Sequence, residues 1–271
     1  GGWAGGYGIK GRPRDMYGSR VDLGLVAVSG DDKQVIPALD PGAEGLLEYH
    51  VTRLIHRVTH PSKPIVGVLS SLPVLGFNIP PMGMPGQQPQ GQPAWAVFQE
   101  LMQDYDVREI NTDVAEIDPA TEALIVVHPQ QLEDATLYAI DQFVLGGGRL
   151  IALVDPFCVA EMENRQSAMQ RMPQASSDLP ALFDAWGIGY DSGKLATDYR
   201  LASRVRTESG QVEDNPLWMS LGARNINSED ILTTKLELLM IPFAGAFTDE
   251  TDENLRVTPL LTTTAKAGMV D

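Results

Sequence analysis

Cys158 is the single cysteine of this 271-residue chain. A thiol becomes a nucleophile when a nearby base activates it. His128 is the candidate base, and Asp155 is a carboxylate that could hold a ligand or a metal. A catalytic cysteine usually sits on a sharp strand-to-helix elbow with small neighbours. Here Cys158 follows Asp155-Pro156-Phe157 and precedes Val159, so the elbow pattern is absent. A free cysteine is more often a small buried hydrophobe. Asp155 before a proline reads plainly as a turn residue capping its own backbone. His56 and His60 are four apart, a spacing that can bind zinc on one helix face. No Glu or Cys motif accompanies them, and a basic helix terminus is the simpler reading. Asp249, Glu250, Asp252 and Glu253 could hold calcium, yet they lack the ordered spacing and glycine of a calcium loop. No catalytic residue, metal or cofactor is therefore expected.

The elements that position these residues are legible between 122 and 158. The apolar run Ala123–Val127 stops at His128-Pro129, and the run Leu150–Val154 stops at Asp155-Pro156. An amphipathic stretch, Leu132–Leu145, lies between them. Strands joined by a helix run parallel with a right-handed crossover. Continuous apolar runs predict strands buried on both faces. His128 and Asp155 then stand at strand carboxyl ends, where open α/β sheets bind ligands. Gly146 is the expected left-handed helix terminator, and Gly147-Gly148 let the chain turn into the next strand.

Composition narrows the function classes. Asp+Glu number 36 against 20 Lys+Arg, a net charge of −16. Such a surface argues against nucleic acid and against docking on anionic lipid. One cysteine excludes an internal disulfide. No run reaches the length of a membrane span. There is no GxxxxGKS loop, so the chain is not an ATPase, and GGG at 146–148 precedes a strand, so it is no dinucleotide fingerprint. The opening GGWAGGYG reads as the cut edge of a larger protein.

Along the chain, Leu23–Val28 and Gln34–Leu39 flank SGDDK as a hairpin. Leu47, Val51, Leu54 and Val58 mark one helix face. Ile65–Leu69 is a buried strand. Residues 76–93, rich in Pro, Gly and Gln, fit no regular element. Ala94–Gln103 is a helix carrying Trp95, Phe98 and Met102, and Val107–Ile110 is a strand. Leu179–Trp186 is a short helix ending at Gly187. Strands follow at Lys194–Thr197, Ala202–Arg206, Glu237–Phe243 and Arg256–Leu261.

The run LYAIDQFVLGGGRLIALVDPF resembles the signature of the ABC-transporter auxiliary family that includes gliding-motility auxiliary proteins. VIPALDPGAEGLLEYHVTRLIHRVT, VFQELMQDYDVREI, and LLMIPFAGAF with VTPLLTTT agree in order, spanning about residues 22–264. The resemblance implies a bacterial protein anchored in the cytoplasmic membrane through helices outside this chain, with this part on the extracytoplasmic, periplasmic face. It implies a glutamine-amidotransferase-like core, and it makes residues 1–60 the end of a preceding thioredoxin-like unit. It carries over no catalytic residues.

The expected fold is α/β: a flavodoxin-like or glutamine-amidotransferase-like parallel sheet with helices on both faces, over 61–271, plus a small hairpin-helix unit over 1–60. The expected strand order is 107–110, 65–69, 123–127, 150–154. The switch point, between 65–69 and 123–127, is the crevice, with Ser70, Ser71, Trp95, Met82, Met84, His128 and Asp155 around it. The expected function is non-catalytic: an auxiliary domain binding the permease and ATPase subunits of its own system or an exported substrate. The alternatives are a hydrolase or amidotransferase relative using Cys158 and His128, or a carbohydrate or small-ligand sensor.

Overall fold

The computed structural model describes residues 2–13, 20–79, 90–165, 175–206, 210–248 and 255–271. The chain divides into two compact units. One is Gly1–Pro64 with Glu100–Asp106; the other is Ile65–Gln99 with Val107–Asp271.

In the first unit β1 (Leu25–Ser29) and β2 (Asp32–Ile36) form an antiparallel hairpin. Gly30, at φ 58, supplies the positive backbone angle of the two-residue turn. Asp40 accepts the N–H of Gly42 at 3.1 Å and starts a 3₁₀ turn, Pro41–Leu46. Helix α1 (Leu47–Thr59) follows and buries Leu54 and Val58. Arg53 and Arg57 both bond the Asp104 carboxylate, and Arg53 also reaches Glu100. Both arginines are ion-pair partners of carboxylates.

The second unit is built on strand β3 (Ile65–Ser70). A hairpin of β4 (Gly76–Ile79) and β5 (Gln90–Pro93) comes next, then helix α2 (Ala96–Asp104), whose residues from Glu100 onward count with the first unit. Strand β6 (Asp106–Ile110), strand β7 (Thr121–Val127), helix α3 (Asp134–Leu145) and strand β8 (Arg149–Leu153) complete the sheet. The result is a four-stranded parallel sheet in the order β6-β3-β7-β8, the order read from the sequence. Val68 stands opposite Ile125, and Ile125 opposite Ile151. The core gathers Leu69, Leu124 and Val126 from the strands, Ala139 and Ile140 from α3, and Leu179, Leu182 and Phe183. Each large apolar side chain buried this way contributes roughly 1.5–3 kcal/mol.

Three expectations for residues 76–153 require correction. Strand β8 is not buried on both faces: Ile151 and Leu153 are each 51% exposed, while Leu150 and Ala152 pack on the core. It is the last strand of its sheet, and an edge strand has fewer neighbours to cover it. The helix-ending glycine is Gly147, at φ 93, not Gly146, which stays right-handed at φ −71. Residues 76–93 do contain regular structure, because Gly76↔Pro93 through Ile79↔Gln90 form a ladder. Its composition concealed this, since side-chain alternation is weak in so Gly- and Gln-rich a segment.

Helix α4 (Val159–Arg165) and helix α5 (Pro180–Trp186) follow the sheet. Helix α5 ends at Gly187, φ 69, as expected. Trp186 ties it to α3 by donating to Asp141 at 2.9 Å. Strand β9 (Leu195–Thr197) pairs with β13 (Gly268–Val270). A three-stranded antiparallel sheet is made of β10 (Ala202–Arg206), β11 (Val212–Gly222) and β12 (Leu238–Pro242). The long strand β11 was not foreseen. Residues 256–261 form no strand: Leu261 makes a single bridge to Ile226.

Candidate functional site

His128 ends β7 in the left-handed region, at φ 49, and is 2% exposed. Its backbone N–H donates to Leu153 at 2.9 Å, which fastens the end of β7 to the end of β8. Its Nε2 lies 2.8 Å from Glu161 Oε2 on α4. Gln130 Nε2 closes the triangle, 2.9 Å from His128 Nε2 and 2.8 Å from Glu161 Oε2, and also donates to the carbonyl of Ser176 at 3.2 Å. The Gln130 amide nitrogen can only donate, so its contact with His128 Nε2 is a hydrogen bond only when that nitrogen carries no proton, whereas the Glu161 bond from the imidazole needs the proton there. His128 Nδ1 and the Tyr190 hydroxyl are buried without a partner among the described residues.

Asp155 follows β8. Its carboxylate accepts the N–H of Phe157 at 2.8 Å, the local turn that its type and the following proline suggest. Its backbone N–H donates to Ser177 Oγ, and its carbonyl accepts the Ser177 N–H. Burial pushes the Asp155 carboxyl above its ordinary range, against the opposing pull of the Phe157 N–H and of His128. Burial also pushes the Tyr190 hydroxyl up, helped by the charges of Asp155, Asp178 and Asp191.

Cys158 is 6% exposed, and its N–H donates to Ala175 at 2.7 Å. Burial raises its thiol pKa; the N–H of Glu161 opposes, the charge of Asp155 adds to the rise, and the N–H of Ala160 again opposes. A raised pKa leaves less thiolate, and the thiolate is the nucleophile. Glu161 meets both candidates, His128 through its carboxylate and Cys158 through its backbone.

Both serine hydroxyls accept backbone N–H groups. Ser70 Oγ accepts the Leu72 N–H at 3.0 Å, and Ser71 Oγ accepts the Gln130 N–H at 3.2 Å. Ser71 thus joins the end of β3 to the His128 segment. Trp95 is half-buried, its N–H on the Val74 carbonyl at 2.9 Å. Met82 and Met84 lie outside the described residues, as do Asp249, Glu250, Asp252 and Glu253. His56 and His60, in the first unit, stack at 4.4 Å between ring centroids. Among the described residues no group of three or more His, Cys, Asp or Glu could hold a metal ion.

The family model described as an ABC-type uncharacterized transport system matches residues 63–271. The chain belongs to this ABC-transport auxiliary family. Searches of curated proteins and of solved structures returned no match. Every residue of the His128 cluster lies within the span matched by the auxiliary family. The sequence pointed to His128 and Asp155 through their strand-end positions, but not to Gln130, Glu161, Ser177 or Tyr190. Glu161 and Ser177 fall in a polar stretch that carries no period, and only three dimensions bring it back to the strand ends. In this auxiliary-family chain the usual chemical end of an α/β sheet is occupied by its own following segment.

Proposed function

We propose that this ABC-transport auxiliary chain acts as a non-catalytic binding domain on the extracytoplasmic face of its transport system. It binds a partner protein, the permease of that system with its ATPase subunits, or it binds the exported substrate. The family match supports a transport-associated role. The observation that carries the non-catalytic part is the buried Cys158, whose thiol pKa burial raises. A working Cys–His pair needs its base free to accept the thiol proton and its thiol open to substrate. Here the thiol is buried, and Gln130 and Asp155 hold Ser176 and Ser177 at the strand ends. The extracytoplasmic placement rests on the resemblance of the four sequence blocks to membrane-anchored auxiliary proteins.

The test is recovery of the full-length protein from its native membrane. Wild type and Cys158→Ser should recover the same transporter subunits in equal amount and support transport equally. Loss of transport in Cys158→Ser with subunit recovery intact would restore the enzyme reading. Protease or labelling reagents applied from outside the cytoplasmic membrane should reach the domain; protection would contradict the placement.

A further inference from the structure

We draw no further inference here: the strongest candidate, the apolar cavity of the first unit lined by Leu23, Ile36, Leu39 and Leu47 with the carboxylates of Asp40 and Glu44, carries nothing because nothing in the structure shows what covers it.

Discussion

Asp198 is fully buried, and its carboxylate holds two segments far apart in sequence. It accepts the N–H of Thr264 at 2.8 Å and that of Arg200 at 2.9 Å. Burial alone would raise its pKa, but the hydroxyl and N–H of Thr264 and the N–H of Arg200 outweigh it and hold the carboxyl below its ordinary range. A depressed folded pKa contributes stability that is complete above the unfolded value. That stability is lost as pH falls through the folded value. Urea unfolding at pH 7 should therefore show Asp198→Ala destabilised by about 2–3 kcal/mol. The gap to wild type should shrink below about pH 5. A gap that stayed constant with pH would contradict this account. His128 gives a second test. In His128→Ala the Glu161 carboxylate loses one buried partner, at a cost of about 2–3 kcal/mol. His128→Gly should recover about 1 kcal/mol of that, because φ 49 is strained for any residue with a Cβ. Equal stability of the two variants would show that the backbone there is relaxed. Neither Asp198 nor Glu161 was legible in the sequence. A buried carboxylate has no local signature when its partners lie 66 and 33 residues away.

At the scale of elements, the parallel strands, their order and helix α3 were readable, because burial on both faces writes a continuous apolar run. The one-sided exposure of β8 was not, since LIAL reads the same in a strand covered on both faces as in one covered on a single face. Strand β11 was missed because it carries polar residues along much of its length, VEDNPLWMSLG, and takes its register from β10 and β12 rather than from its own pattern. The β4–β5 hairpin permits a direct test. Its last pair, Ile79↔Gln90, is already in antiparallel register. Two strands so placed can be joined by a two-residue turn of Asn-Gly type. Replacing residues 80–89 by Asn-Gly should leave the melting temperature and the far-ultraviolet dichroism unchanged. Any partner binding that depends on Met82 or Met84 should fall. If the shortened chain unfolds instead, those ten residues contribute to the fold itself.

At the scale of the whole chain, the family match begins at residue 63, and the first compact unit joins Gly1–Pro64 to Glu100–Asp106. The core cluster draws only on residues between Leu69 and Tyr190. A chain of residues 63–271 therefore retains every side chain of that core and the whole parallel sheet. What it loses is specific: the Arg53 and Arg57 guanidiniums that bond Asp104, and the Arg53 contact to Glu100. Burial tends to raise the Asp104 carboxyl, and the two arginines bring it below its ordinary range. Its contribution in the full chain is thus present above the unfolded pKa and fades as pH falls through the folded one. The pairs are partly exposed, so salt screens them and their worth is about 1 kcal/mol or less. The 63–271 chain should unfold in one cooperative transition at pH 7, with dispersed amide resonances from β3, β7 and β8. The double variant Arg53→Gln with Arg57→Gln, made in the full chain, should lower stability at neutral pH and low salt, and the loss should shrink in acid and at high salt. A 63–271 chain lacking cooperative unfolding would show that residues 1–62 are needed for the fold.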